Sequence, residues 1–262
     1  MDKNTFVERL VNCSDVKNLE ISLIANLYNK IILAEKIGKE VFTNEFYPPS
    51  IWSTLLKLNS SFNVSFHTYG VFDEAERRIL GISDKNIEHF PVKLLKIKAN
   101  AKFCSLSHRD FLGSIMSLGI IREKFGDLIL KNDICYAAVH EDICDYLIYN
   151  LSKVKNSPCS VEVLDSQCEE KPKHEYECIN ILSTSLRLDC IVSSICNISR
   201  NKSDEFIRQG KVLVDYFPET KRDFMVNLNN LIVIRGYGKF IIYKIIGVSG
   251  SGRLKIQIKK YN

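Results

Sequence analysis

Residues Leu186–Asp215, with the sequence LRLDCIVSSICNISRNKSDEFIRQGKVLVD, decide the fold of the C-terminal third of the chain. Apolar residues recur there at the spacing of one helical face, at Leu188, Ile191, Val192 and Ile195. Ser199 can cap a second helix, and Gly210 suits its C-terminal exit. Val212 and Val214 then begin a half-buried strand. The stretch predicts a helix, a tight turn, a second helix and the start of a hairpin.

Cationic side chains gather around these two predicted helices. They are Arg187, Arg200, Lys202, Arg208 and Lys211. Basic groups clustered on short helices favour a polyanion such as RNA as the ligand. An ordinary amphipathic helical hairpin is the alternative interpretation of the same pattern.

The charge of the chain is divided unevenly between its two ends. Residues 181–262 hold 14 Lys and Arg against 6 Asp and Glu, a balance of +8. Residues 1–180 hold 22 against 25, a balance of −3, so the net charge of +5 comes from the C-terminal third. A polyanion is therefore expected to bind there.

Length and composition indicate a globular protein. At 262 residues, with 45% hydrophobic and 26% charged residues, the chain can form two or three domains. It has no apolar run near the 18 residues of a membrane span, and the first residues lack the apolar centre of a signal peptide. We therefore expect no membrane span and a cytoplasmic location.

The middle of the chain shows a regular order of strands and helices. The pattern predicts strand Val92–Lys98, helix Ser107–Leu118, strands Asp127–Lys131 and Ile134–Val139, helix Glu141–Leu151 and strand Ser160–Leu164. This is a ferredoxin-like βαββαβ order, shared by the RNA-recognition motif (RRM). The aromatic residues that stack RNA bases in that motif are missing from the inner strands, so RNA binding through this sheet is doubtful.

The fold class predicted for the whole chain is α+β. Residues 1–84 form a mainly helical N-terminal unit, in which DEAERRIL, residues 73–80, reads as a short helix. Residues 85–165 form the RRM-like domain, and the polar residues 166–180 a linker. Residues 181–262 form the C-terminal domain, with β segments at 225–228, 231–235, 240–246 and 254–258.

The C-terminal stretch resembles the S4 RNA-binding domain. The residues that carry the resemblance are Arg187-Leu188-Asp189, Ser199-Arg200, Ile207, Gly210-Lys211-Val212 and Val214. The sequence departs from the family pattern at one point: Asp215-Tyr216 stands where that family usually has Asn-Gly. The departure predicts a reshaped hairpin turn.

Three distant blocks narrow the resemblance to the YlmH family of bacterial S4-domain proteins. The first is Ala75-Glu76-Arg77, preceded by Val71 in place of a glycine that is often present. The second is His108–Gly113 followed by Leu118–Ile129. The third joins Ser185–Asp189 and Ser199-Arg200 to Arg235–Phe240 and Gly252-Arg253.

This family resemblance implies a non-enzymatic, ribosome-associated factor without a cofactor. Proteins of the family look like relatives of the small S4 factor that binds the obstructed large subunit with peptidyl-tRNA and supports alanine tailing of stalled chains. The implied partners are rRNA, tRNA and the large ribosomal subunit, with the free protein a monomer. A role near cell division has also been attached to the family, which leaves a division-associated scaffold as an alternative.

The candidate RNA-binding residues come from the C-terminal domain. They are Arg187, Ser199, Arg200, Asn201, Lys202, Arg208, Gln209, Lys211, Arg235, Lys239 and Arg253. Guanidinium groups form paired hydrogen bonds with phosphate, and cations in loops beside glycine turns can contact the phosphate backbone of RNA. Solvated loop charge is the alternative for the last three. Alanine at both Arg187 and Arg200 is expected to weaken RNA binding and flatten its salt dependence while the melting temperature stays near wild type. The alternative is that both arginines form surface ion pairs, for example with Asp189 or Asp204, and that the salt dependence of binding is unchanged.

Several motifs imitate catalytic or metal sites. His108-Arg109-Asp110 matches a kinase triplet, but Ile115 stands where a kinase needs Asn, so a helix start capped by Ser107 fits better. Arg187-Leu188-Asp189 matches the catalytic motif of pseudouridine synthases, and an RNA-modifying enzyme is therefore a second alternative. The spacing of Cys159, Cys168, His174 and Cys178 fits no zinc pattern.

Overall fold

The computed structural model describes residues 1–13, 21–100, 106–131, 133–165 and 171–261. They form two compact units, one within residues 1–173 and the other within residues 174–262. Both units combine helices with antiparallel sheets, which confirms the α+β class. Within the described ranges, no helix is long and apolar enough to cross a membrane.

The first unit begins with three helices and a three-stranded sheet. Its elements are α1 (Lys3–Cys13), α2 (Ile21–Ile37), β1 (Val41–Tyr47), α3 (Pro49–Lys57), β2 (Ser65–Tyr69) and β3 (Arg78–Ser83). The strand order is β1-β3-β2, with β3 central and antiparallel to both neighbours. The predicted helix at residues 73–80 is therefore wrong. Residues 78–80 pair within the sheet, and the backbone N–H groups of Glu76 and Arg77 are held by the carboxylate of Asp127.

The same unit continues into a second sheet with two helices. Its elements are β4 (Val92–Ala99), α4 (His108–Ser117), β5 (Phe125–Lys131), β6 (Ile134–His140), α5 (Cys144–Asn150), β7 (Lys153–Val154) and β8 (Ser157–Leu164). The strand order is β5-β6-β4-β8-β7. Ser107 donates from its backbone N and its Oγ to Asp110 Oδ2, both at 2.9 Å, at the start of α4. This confirms that His108-Arg109-Asp110 begins a helix. Asn132, which lies between the two predicted strands Asp127–Lys131 and Ile134–Val139, is outside the described residues.

One face of this second sheet is partly covered by the N-terminal part of the same unit. Leu94, Tyr136 and Ala138 on the sheet form a hydrophobic cluster with Phe46 and Phe72. Tyr136 is only 7% exposed, so its ring is not available for stacking on a base. The predicted boundary at residues 84 and 85 therefore falls inside one compact unit with a shared core.

Two of the family-like blocks meet at this shared core. Asp127 Oδ1 accepts a hydrogen bond from the backbone N of Arg77 at 3.2 Å, and Oδ2 accepts one from Glu76 N at 2.5 Å. Arg77 Nη2 donates to Phe46 O at 2.8 Å. A Cβ on Gly126 would lie 2.9 Å from the Phe46 ring, which explains the glycine at that position. These blocks join two parts of the unit.

Val71 lies beside the same core with a left-handed backbone. Its φ is +71°, a region that β-branched residues rarely adopt. The position is the one where the family often has glycine, which adopts this conformation without strain. The structure thus accounts for the family preference at this position.

The second unit is one six-stranded sheet packed on two helices. Its elements are β9 (Tyr176–Ser183), α6 (Leu188–Cys196), α7 (Arg200–Arg208), β10 (Val212–Val214), β11 (Phe217–Pro218), β12 (Leu231–Ile234), β13 (Gly238–Val248) and β14 (Leu254–Tyr261). The strand order is β11-β10-β12-β13-β14-β9. Residues 176–180, predicted as linker, belong to strand β9, which pairs along its whole length with β14. Residues 166–170 of that linker lie outside the described residues.

The turn between β10 and β11 keeps the geometry that Asn-Gly favours. Asp215 and Tyr216 have φ values of +49° and +70°, as a two-residue type I′ turn requires. Asp215 Oδ1 accepts from Leu231 N at 2.8 Å, and Oδ2 accepts from Asn230 Nδ2 at 2.6 Å. The expected reshaping of this turn is therefore wrong, because the Asp215 side chain holds it in place.

Candidate RNA-binding surface

The buried carboxylate of Asp189 organises the start of both helices in the second unit. Asp189 is the second residue of α6, and only 6% of its side chain is exposed. Its backbone N donates to Arg222 O at 3.1 Å, and its backbone O accepts from Ser203 Oγ at 2.7 Å. One residue therefore links α6, α7 and the loop that follows β11.

Two of the predicted RNA-binding arginines converge on this carboxylate. Arg187 donates from Nε to Asp189 Oδ1 at 3.0 Å and from Nη2 to Oδ2 at 3.2 Å. Arg200 donates from Nη2 to Asp189 Oδ2 at 2.8 Å. The side chains of Arg187 and Arg200 remain 35% and 56% exposed. Since a guanidinium has five N–H donors, both can bind Asp189 and still donate to a phosphate.

The protonation of this cluster follows from its contacts. Burial by itself raises the pKa of Asp189, but the hydrogen bonds from Arg187 and Arg200 outweigh burial and lower that pKa to about 2. The same hydrogen bonds raise the pKa of Arg187 and of Arg200. At neutral pH the cluster therefore carries two oriented guanidinium cations and one carboxylate.

A second carboxylate extends the row of arginines along α7. Arg208 Nη2 lies 2.5 Å from Asp204 Oδ2, and Arg222 Nη1 lies 3.7 Å from the same oxygen. Arg222 was not among the sequence-based candidates. Its signal was the Lys221-Arg222 pair in a loop, but only the backbone bond from Asp189 to Arg222 shows that the loop reaches the helices. We name Arg187, Arg200, Arg208 and Arg222 the arginine row.

Other predicted residues of α7 mainly shape the helix. Ser199 Oγ accepts a hydrogen bond from Lys202 N at 3.3 Å, so Ser199 caps α7 as predicted. Gln209 Nε2 donates to Glu205 Oε1 at 2.9 Å, one turn earlier. Asn201 and Lys202 are exposed on the first turn of the helix beside Arg200. Of these four, Asn201 and Lys202 are the ones best placed to contact RNA.

A second group of predicted residues lies where β10, β12 and β13 meet. Arg235 N donates to Lys211 O at 3.0 Å, so the backbones of these two basic residues are adjacent. Lys211 Nζ lies 5.0 Å from the centre of the Phe206 ring, which lies 6.1 Å from the Tyr237 ring. Lys239 pairs with Val233 across β12 and β13. The glycine turn at residues 236–238 therefore carries one exposed ring, Tyr237, and lies close to cationic residues.

Arg253 lies away from this group. It follows the tight turn between β13 and β14, at the opposite end of the 11-residue strand β13 from Gly238. A strand of that length spans roughly 30 Å. Lys239 and Arg253 consequently cannot contact the same phosphate, although both flank glycine turns.

The geometry argues against catalysis by Asp189. A catalytic aspartate has to reach its substrate, whereas this carboxylate is buried and accepts hydrogen bonds from two arginines and from Cys190 N. Within the described ranges, no group of three His, Cys, Asp or Glu residues is arranged to hold a metal ion. Cys168, one of the residues considered for zinc, lies outside those ranges. The arrangement is suited to binding anions.

Comparisons with known proteins agree with an RNA-related role. A family model described as "Putative RNA-binding domain in YlmH" matches residues 86–168. The ribosome-associated protein quality control protein P2 of Bacillus subtilis (strain 168) is 25% identical over 220 residues, covering 82% of this chain and 86% of that protein. The structure of the cell division protein ylmH from Streptococcus pneumoniae aligns with a TM-score of 0.47 and 21% identity, over 55% of this chain and 90% of that chain.

The first prediction concerns acid stability. The folded pKa of Asp189, about 2, lies below its ordinary value of 3.8, so its ionisation stabilises the fold above about pH 4 and this stabilisation is lost as the pH falls to 2. The difference in unfolding free energy between wild type and Asp189→Asn should therefore shrink by about 2 kcal/mol between pH 5 and pH 2. Urea denaturation followed by circular dichroism measures both proteins. Parallel pH profiles for the two proteins would show that Asp189 is not selectively stabilised when ionised.

The second prediction separates RNA binding from folding. Arg187 and Arg200 both pair with the buried carboxylate of Asp189, so replacing both by alanine leaves that charge unpaired, and we expect the melting temperature to fall as well. The triple variant Arg187→Gln, Asp189→Asn and Arg200→Gln removes the cations and the carboxylate together. We expect it to reduce the slope of log affinity against log salt by about 1.4–1.8 for structured RNA. Fluorescence anisotropy titrations at four salt concentrations measure this slope.

Two controls accompany the triple variant. Asp189→Asn alone keeps both cations and should keep a salt slope near wild type. Lys36→Gln with Lys39→Gln removes two exposed cations from the first unit and should leave the slope unchanged. An unchanged slope in the triple variant would remove Arg187 and Arg200 from the RNA site.

Proposed function

The chain belongs to the YlmH family, and we propose that it is a non-catalytic RNA-binding factor that associates with the ribosome. The observation that carries the proposal is the arginine row, whose guanidinium groups are held by buried or half-buried carboxylates while their outer faces remain exposed. The 25% identical relative, named for ribosome-associated protein quality control, supports the same role.

The second unit is proposed to be an S4 RNA-binding domain. Two short helices with cations at their N-terminal ends, followed by a hairpin and a sheet, agree with the residues that resemble that domain. Its proposed RNA-binding residues are Arg187, Arg200, Asn201, Lys202, Arg208, Lys211, Arg222, Arg235 and Lys239. Ser199 and Gln209 act through the helix, and Arg253 contacts a more distant part of the RNA.

The segment that matches the RNA-binding family model is proposed to be an RRM-like domain with a modified mode of binding. Its strand order agrees with a βαββαβ fold, but Tyr136 on its sheet is buried by the N-terminal part of the unit. Lys96, Lys98 and Lys131 lie on the uncovered end of the same sheet face. These lysines can contact phosphates, so we expect this domain to position RNA without reading its bases.

The proposed target is the large ribosomal subunit carrying peptidyl-tRNA. There the protein would support alanine tailing of stalled chains, acting in the cytoplasm as a monomer when free. The buried, doubly paired Asp189 weighs against an RNA-modifying enzyme of the pseudouridine-synthase type. The charge balance of +8 over residues 181–262 favours RNA over the division-associated scaffold as the partner of the second unit.

Sedimentation with ribosomal particles tests the proposed function. Wild-type protein mixed with purified 50S subunits bearing peptidyl-tRNA should sediment with them in a sucrose gradient, and high salt should release it. The triple variant at residues 187, 189 and 200 should stay near the top of the gradient, while the Lys36 and Lys39 control variant should sediment with the particles. Wild-type protein that remains at the top would contradict ribosome association. Undiminished sedimentation of the triple variant would instead contradict the choice of site.

A further inference from the structure

The outer face of the sheet in the second unit carries tyrosines and lysines on adjacent strands. Ile256 and Ile258 of β14 are buried in the core, so Lys255, Lys259 and Tyr261, which alternate with them, lie on the opposite face. Tyr176 of β9 pairs with Tyr261 across the sheet. Tyr243 lies at a β-bulge of β13, where the pairing with β14 shifts by one residue.

Three tyrosine rings and two lysine amines of this face lie close together. Lys259 Nζ lies 4.1 Å from the centre of the Tyr243 ring and 5.3 Å from that of Tyr176. Lys244 Nζ lies 5.5 Å from the Tyr243 ring, and the rings of Tyr176 and Tyr261 are 4.9 Å apart. Tyr243 is 39% exposed, and Lys244 and Lys255 are exposed. We name these six residues the tyrosine–lysine face.

The charge of this face has a single sign. Strands β9, β13 and β14 together contain five lysines and one glutamate, Glu177. Glu177 lies 3.5 Å from Lys260, and both residues alternate with those of the tyrosine–lysine face and so belong to the other side. The face therefore presents amines with no carboxylate from its own strands, which is complementary to a polyanion.

We propose that the tyrosine–lysine face binds single-stranded RNA, at a site separate from the arginine row. Aromatic rings on a sheet stack on unpaired bases, and interleaved amines contact the phosphates between them. Duplex RNA keeps its bases inside the helix, so it cannot use the rings. The tyrosine–lysine face adds the capture of an unpaired strand to the contacts of the helices with structured RNA.

Binding of a labelled oligouridine to the full chain tests this proposal. A fluorescein-labelled 12-nucleotide oligouridine has weakly stacked bases, and a hairpin duplex of similar length serves as the comparison. We expect Tyr243→Ala to weaken oligouridine binding about tenfold, because one stacked base is lost, and to leave duplex binding unchanged. Tyr243→Phe keeps the ring and should bind like wild type.

Further variants test the Tyr243 ring and the Lys259 amine separately. Should Tyr243→Ala fail to fold, Tyr243→Leu retains apolar volume without the ring and should show the same selective loss. Lys259→Gln should lower the salt slope for oligouridine, whereas Lys36→Gln with Lys39→Gln should not. Equal oligouridine affinity for wild type, Tyr243→Ala and Tyr243→Leu overturns the proposal, as does the absence of oligouridine binding, which would point to a protein partner for this face. None of these outcomes depends on whether the chain sediments with ribosomes.

Discussion

The carboxylate of Asp189 lies under the first turns of two helices and holds the guanidinium groups of Arg187 and Arg200 within 3.2 Å. The carboxylate is almost fully buried, so its negative charge has to be paired with cations. This pairing fixes the orientation of both guanidinium groups. The backbone of the same residue joins α7 and the loop at Arg222. The stability of the second unit and the placement of its arginines thus both depend on the Asp189 carboxylate. A substitution of Asp189 is therefore expected to affect both.

The first unit contains a comparable anchor with a different consequence. Burial and the neighbouring Glu76 raise the pKa of Asp127, while the backbone N–H groups of Glu76 and Arg77 bind its carboxylate and oppose that rise. Phe46 and Phe72 then cover the sheet around Tyr136. The sheet face around Tyr136 is thereby largely buried in the core of the first unit. The exposed ring of Tyr243 in the second unit is more accessible to an RNA base than the buried ring of Tyr136 in the first unit.

Local patterns in the sequence predicted most elements, and they failed where distant residues determine the structure. The predicted helix from Ser107 and the predicted helix from Arg200 are present, because capping groups and apolar spacing act within a few residues. The helix predicted at residues 73–80 is absent, because Asp127, about 50 residues away, and two neighbouring strands hold that segment extended. Strand β9 was missed for the same reason, since only its pairing with β14 distinguishes it from a polar linker. In the candidate site, the sequence indicated Arg187 and Arg200 but not Arg222, whose position depends on a loop contact.

Cross-linking of the bound protein tests directly whether the arginine row contacts RNA. The full chain, bound to large ribosomal subunits carrying peptidyl-tRNA, is irradiated with ultraviolet light, digested, and searched by mass spectrometry for peptides that carry nucleotides. We expect most cross-linked peptides to come from residues 187–211 and 221–239, where the arginine row and the glycine turn lie. Cross-links confined to residues 1–173 would contradict RNA binding by the arginine row, because RNA would then be held by the first unit without the helix pair.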